Sequence, residues 1–294
     1  MRYEAPTSLD QAVALLAAEK GDARVLAGGT DLLVQMRTDL IEPALVVDIK
    51  GIPETREIKE EAGGWRIGAA VTGAELKEHP KLKSVWPGVV EAANLIGSTQ
   101  IQGRATMGGN LCNGSPAADS VPALIAAGAK ASIVGPKGAP LIGAKGRRDV
   151  PVEDIMLGPR KLSLAKGEIV ASFLLPPKPA RTGDAYLRFI PRTEMDIAVV
   201  GCGICLTLDG KGTCTAARVS LGAVAARPLL VPAAAAALIG SKVDDAALQK
   251  LDAAARAACQ PIDDKRGTKE YRIKVAGVLA RRAAQIALER ARKG

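Results

Sequence analysis

Apolar positions over the first fifty residues switch between helical and strand spacing. Leu9, Ala12, Val13 and Leu16 share one face of a helix predicted over Leu9 to Glu19, with Thr7 or Ser8 as its cap and Gly21 as its stop. A short strand over Arg24 to Ala27 breaks at Gly28-Gly29, and Thr30 then caps a helix through Asp31 to Arg37. The apolar run Leu45 to Ile49 reads as a buried strand. From Arg56 the pattern predicts strands around Arg66 to Ala70 and helices near Gly73 to Glu78 and Val85 to Leu95. A Gly- and Asn-rich loop, Gly103 to Pro116, leads into a helix over Asp119 to Ala127, and strands follow at Ala129 to Val134 and Glu168 to Leu175. Pro176-Pro177-Lys178-Pro179 marks a linker, because proline stiffens the chain and removes donors. Strands near Ile197 to Leu208 and Thr213 to Leu221 come next, then helices at Val231 to Ile239, Asp245 to Ala257 and Thr268 to Arg292. The order describes an α+β chain with two lobes (1–55 and 56–177) before the linker and a further α+β domain (178–294) after it.

Composition narrows the function. The chain of 294 residues is 48% hydrophobic and only 2% aromatic, so Ala, Val, Leu and Ile must fill its cores. The net charge of +9 is dispersed, and the few aromatics do not accompany the Lys and Arg, which argues against nucleic acid. Arg281, Arg282, Arg290, Arg292 and Lys293 suit a solvated helix face or one turned to an acidic partner. The five cysteines follow no disulfide framework, which points to a reducing cytoplasm. No secretory h-region opens the chain, and no apolar run reaches the roughly 18 residues of a membrane span. His79, alone in a charged turn, reads as a surface residue; one histidine makes neither a Ser-His-Asp triad nor a His-rich metal site. Cys202 and Cys205 read as small core residues of a buried strand. No catalytic residue and no metal ligand is assigned.

Two segments carry chemistry. In Ala27-Gly28-Gly29-Thr30-Asp31-Leu32, two glycines between a strand and a helix let backbone N–H groups approach a phosphate, although such a turn alone can be an ordinary connection. Thr106 to Asp119 packs glycines, Asn110, Asn113 and Ser115 before an apolar helix. Two donor-rich loops about eighty residues apart could grip the two phosphates of a dinucleotide from opposite sides.

Together, Ala27 to Leu32 and Thr106-Met107-Gly108-Gly109-Asn110 resemble the two FAD-pyrophosphate loops of the medium flavin subunit of the molybdenum hydroxylase family, which includes carbon monoxide dehydrogenase, xanthine dehydrogenase and 4-hydroxybenzoyl-CoA reductase. Pro116 to Asp119, Gly167 to Val170 and Arg192 to Val200 resemble further segments of that family, in its order and spacing. The resemblance implies a two-lobed FAD-binding domain of the PCMH/VAO type followed by a C-terminal α+β domain. It implies noncovalent FAD held by Val25, Leu26, Ala27, Gly28, Gly29, Thr30, Asp31 and Leu32 and by Thr106, Met107, Gly108, Gly109 and Asn110. Ile96 falls at a flavin-side position that is aromatic in xanthine dehydrogenase, Val170 at an apolar contact, and Asp119 near the ribityl end. Arg188 matches a lysine that approaches the isoalloxazine; read by itself it could equally be a solvated strand residue. A four-cysteine insertion for an extra iron–sulfur cluster, found in some relatives, is missing between Asn110 and Pro151.

The implied function is an electron-transfer flavoprotein subunit of an oxidoreductase. Its expected partners are a large molybdopterin subunit and a small subunit with two 2Fe–2S clusters, in a dimer of heterotrimers. A stand-alone FAD oxidoreductase and a cofactor-free assembly module are the rival readings.

Overall fold

The first apolar runs form a small parallel sheet in the computed structural model, which describes residues 1–294. It contains β1 (Arg2–Glu4), α1 (Leu9–Ala18), β2 (Ala23–Leu26), α2 (Leu32–Arg37) and β3 (Leu45–Asp48), with strand order β1-β3-β2. Ser8 caps α1 by accepting from the Gln11 N–H. The helix ends on an extended Glu19, so Gly21 is not its stop. Thr30 does not cap α2, which starts after a helical Asp31 with no side-chain cap.

A second group of elements follows: β4 (Ile58–Glu61), β5 (Gly64–Gly68), α3 (Gly73–Glu78), α4 (Pro80–Val85), α5 (Pro87–Ala93), α6 (Met107–Cys112) and α7 (Ser120–Ala126). It continues with β6 (Lys130–Val134), β7 (Arg147–Pro151), β8 (Met156–Gly158), β9 (Lys161–Leu162) and β10 (Ile169–Leu175). Its main sheet is antiparallel, in the order β4-β5-β10-β6-β7, and β8 and β9 form a separate hairpin. The strand expected at Arg66 to Ala70 sits two residues earlier. The helix expected at Val85 to Leu95 is the shorter Pro87–Ala93, opened by Pro87, and a further helix, Pro80–Val85, opened by Pro80, precedes it. Residues 107–112, expected as loop, are helical; Thr106 caps them by accepting from the Gly109 N–H at 3.0 Å. Their two glycines hid the helix, since glycine has low helix propensity. His79 is half-buried rather than free on the surface: Nδ1 accepts from the Leu82 N–H at 3.1 Å, and the ring stands edge-on to Trp65.

The third group is β11 (Thr182–Phe189), β12 (Val200–Leu208), β13 (Cys214–Gly222), β14 (Leu229–Leu230), α8 (Pro232–Ala236), α9 (Asp245–Ala257) and α10 (Lys269–Lys293). Its four strands form an antiparallel sheet in sequence order. One face packs on α10, and the other on α7. Close approach replaces aromatic bulk on both sides. A Cβ on Gly183 would lie 2.0 Å from the Ala287 carbonyl of α10, and one on Gly203 would lie 2.4 Å from the Pro122 carbonyl of α7. Ala276, Ala280, Ala283, Ala284, Ala287 and Ala291 are all fully buried along α10. Cys202 and Cys205, three apart on β12, point to opposite faces and sit in different cores. Burial pushes the Cys205 thiol up to about 12.

The proline stretch between the second and third groups is anchored. Lys178 bonds Asp184 at 2.7 Å and lies over the Trp86 ring, while the Gly88 N–H donates to the same carboxylate at 2.7 Å. Arg290 bonds Glu91 and the Asp184 carbonyl, so this member of the terminal basic group ties α10 to α5. Arg281, Arg282, Arg292 and Lys293 remain exposed. No helix is long and apolar enough to cross a membrane.

Gly183→Val should therefore destabilise the chain by about 3 kcal/mol or more, the upper range for overpacking against backbone. Gly210→Val, where a Cβ meets nothing within 4 Å, serves as the control. Urea midpoints check this; equal midpoints for the two variants would refute the helix–strand contact.

Candidate functional site

Parallel pairing brings β2 to its end beside β3, and the chain then turns at Gly28-Gly29 into α2. The backbone N–H groups of residues 27–32 find no acceptor anywhere in the protein. Those of Met107 and Gly108, at the start of α6, find none either. Ala27, Gly28, Met107 and Gly108 are buried, where an unmatched donor is costly. Both runs border one cavity of about 380 Å³, within the usual range for small-molecule sites.

The glycines have different tasks. A Cβ on Gly28 would lie 1.9 Å from the Arg104 carbonyl, and one on Gly108 would lie 2.4 Å from the Ala69 carbonyl. These two let the motifs press against neighbouring backbone. Gly29 has φ +83°, a left-handed conformation that glycine adopts without strain. At Gly109 a Cβ would approach only the capping Thr106 hydroxyl, so its remaining surround is open. The motifs are also tied together: Arg104 Nε donates to the Gly28 carbonyl at 3.2 Å, and Gln35 donates to Asn113 at 2.9 Å. The Asn110 side-chain oxygen accepts from the Ser120 N–H and hydroxyl, so this carbonyl caps α7.

Val25, Ala27, Gly28, Gly29, Thr30, Asp31 and Leu32 line the cavity from one side, and Thr106, Gly108, Gly109 and Asn110 from another. Ile96 and Val170 complete an aliphatic wall. Leu26, Met107, Asp119 and Arg188 are outside the lining. Leu26 and Met107 are core residues. Arg188 is no solvated strand residue: its side chain is 5% exposed, it pairs with Asp119 at 3.2 Å, and it donates to the Leu95 carbonyl at 2.6 Å. The pair thus braces the segment that carries Ile96.

Sequence reasoning missed Arg160, Leu162, Leu164, Glu168 and Ile169, which line the cavity from the β8–β9 hairpin and the entry to β10. The Gly158-Pro159 pair was the available turn signal. Ile169 and Val170 both reach the cavity next to a bulge in β10, whereas successive residues of a regular strand face opposite ways. Cys112 also borders the cavity and is exposed. Glu168 is neutralised by Arg148 at 2.8 Å, and burial raises the Asp31 carboxyl.

Residues 1–178 match the family model described as the FAD binding domain in molybdopterin dehydrogenase. The chain belongs to this family. Residues 185–287 match the CO dehydrogenase flavoprotein C-terminal domain. The carbon monoxide dehydrogenase medium chain of Afipia carboxidovorans is 36% identical, over 99% of this chain and 97% of that one. A xanthine dehydrogenase FAD-binding subunit of Escherichia coli O157:H7 is 33% identical, over 92% and 90% respectively. Among solved structures, reconstituted CO dehydrogenase from Oligotropha carboxidovorans aligns with a TM-score of 0.91 at 35% identity, covering 99% of this chain and 98% of that chain. Quinoline 2-oxidoreductase from Pseudomonas putida 86 aligns at 0.86 and 29% identity, again over 99% and 98%. This chain is accordingly an FAD-binding medium subunit of the molybdenum hydroxylase family, an oxidoreductase flavoprotein with the two-lobed fold and C-terminal α+β domain of that family.

Within the flavoprotein, Asp119 carries a measurable cost. Burial raises its carboxyl to about 6 against the pull of Arg188, and Oδ1 has no partner. Between about pH 4 and 6 the folded chain therefore binds a proton there that the unfolded chain has released, so stability falls as pH rises through this window. Asp119→Asn removes the charge. Relative to wild type, the variant should gain up to about 3 kcal/mol at pH 7 and nothing below pH 4. Denaturation at several pH values tests this; a variant less stable than wild type at pH 7 would show that the Arg188 pairing outweighs desolvation.

Proposed function

We propose that this flavoprotein is the electron outlet of a three-subunit assembly and is not itself the place of substrate oxidation. FAD, when bound, would take electrons from the 2Fe–2S clusters of a small partner subunit and release them to an external acceptor. A large molybdopterin subunit would oxidise the substrate. We read the chain as lobe 1–55, lobe 56–177 and C-terminal domain 178–294, with FAD between the lobes and the assembly a cytoplasmic dimer of heterotrimers.

The observation that carries the reading is the double run of N–H groups without acceptors around one cavity. A diphosphate is rich in acceptors and negatively charged, which suits donors of this kind. The residues present fit the cofactor: the bare surround of Gly109 leaves room for it, and an aliphatic wall of Ile96, Ala69 and Val170 suits an isoalloxazine. In this reading 25–32 and 106–110 hold the diphosphate and ribityl chain. Asp119 and Arg188 act on the flavin environment through Leu95 and Ile96. The pair fixes the Leu95 carbonyl and with it the position of Ile96 in the cavity wall. The exposed Arg281, Arg282, Arg292 and Lys293 offer α10 a charged face for an acidic partner.

One preparation tests the proposal. Acid precipitation should release free FAD, identified by mass, from the chain co-expressed with its neighbouring subunits. Substrate-driven reduction of a dye should require all the chains. Flavin that stays covalently attached, FMN in place of FAD, or equal rates from the isolated chain would each contradict it.

A further inference from the structure

The cavity is lined by two arginines, Arg24 and Arg160. Arg24 is paired with Asp22 at 2.9 Å. The Arg160 guanidinium has no hydrogen-bond or ion-pair partner in the protein, and the Glu168 carboxylate of the same wall is already taken by Arg148. Arg160 is thus an exposed cation in the cavity wall with nothing in the chain to neutralise it.

Its backbone position adds a second, independent argument. Arg160 follows Pro159 in the tight turn between β8 and β9, where Gly158 pairs with Lys161. Its φ is +57°, and a turn with proline second and a left-handed residue third ordinarily places glycine or asparagine at that third position. Arginine there is strained, and strain of this kind collects at functional sites. Seven non-glycine residues have left-handed φ, and of these Arg160 alone lines the cavity. The turn is also held in place. The Arg160 N–H donates to the Gly114 carbonyl at 2.8 Å, and a Cβ on Gly114 would lie 2.8 Å from the Arg160 Cα. Gly114 directly follows Cys112 and Asn113, both in the cavity wall at the end of the second motif. The hairpin is therefore pinned to the motif that supplies backbone donors.

We infer that Arg160 is a third grip on the diphosphate of the bound dinucleotide, adding a charged fork to the two sets of backbone donors. Guanidinium suits this task because its planar donors match phosphate oxygens in pairs. The inference rests on the FAD reading above, and it adds a residue from an element that neither glycine motif contains.

The test uses the protein as purified with any chains that accompany it, depleted of flavin, and compares wild type with Arg160→Gln, Arg160→Lys and Arg160→Gly. FAD and riboflavin are titrated by flavin fluorescence. Arg160→Gln should weaken FAD at least about tenfold, the loss of one charged hydrogen bond, and leave riboflavin, which has no phosphate, unchanged. Arg160→Lys should recover part of the affinity. Arg160→Gly relieves the left-handed strain, so its flavin-free thermal midpoint should stay at or near wild type while FAD affinity falls. Wild-type FAD affinity in the Gln and Gly variants, or equal losses for FAD and riboflavin, would overturn the assignment. Wild-type protein that binds no FAD would instead sink the parent reading.

Discussion

Six consecutive backbone N–H groups, 27–32, leave a parallel strand and enter a helix without meeting an acceptor, and two more at Met107 and Gly108 do the same beside the same cavity. Folded chains satisfy nearly all buried groups of this kind, and Ala27, Gly28, Met107 and Gly108 are buried, so this concentration of open donors suits an acceptor-rich ligand. Much of the surrounding structure keeps those donors from being satisfied internally. Gly28 lets the first motif press onto the Arg104 carbonyl, and Gly108 lets the second press onto Ala69. The Gln35–Asn113 and Arg104–Gly28 bonds then fix one motif against the other.

Small residues serve the same rigidity at longer range. With two Phe, two Trp and three Tyr in the whole chain, the third core is built from alanines of α10 against glycine-bearing strands. All seven residues of α7 are buried; its Pro122 carbonyl sits on Gly203, and its first N–H is held by Asn110 of the second motif. The C-terminal sheet is thereby mechanically continuous with the cavity. Arg188, from the first strand of that sheet, extends the connection to Leu95, the neighbour of the cavity residue Ile96.

The glycine motifs and the long helices were legible because their signals are local. α3 and α9 span the expected residues, and α10 lies within one residue of expectation at each end. Elements whose faces are set by distant partners were not legible. β11 carries Asp184 and Arg188, and β4 carries Lys59, Glu60 and Glu61, so neither shows an apolar run. Arg188 reads as a solvated residue until Asp119, 69 positions earlier, is placed 3.2 Å away. The β8–β9 hairpin, with a two-residue second strand, is too short to leave a period, and the part of the cavity wall it supplies was lost with it. The glycines were found but only partly understood: Gly28 and Gly108 serve protein packing, which single-chain reasoning cannot separate from ligand contact.

Hydrogen–deuterium exchange of the backbone amides tests the central claim most directly. With FAD bound, amides 27–32 together with 107 and 108 should exchange far more slowly than in the flavin-free protein, while the exposed turn at 210–212 should not change. Equal exchange at both motifs with and without FAD would contradict the account, because it would mean that these donors are not what holds the cofactor.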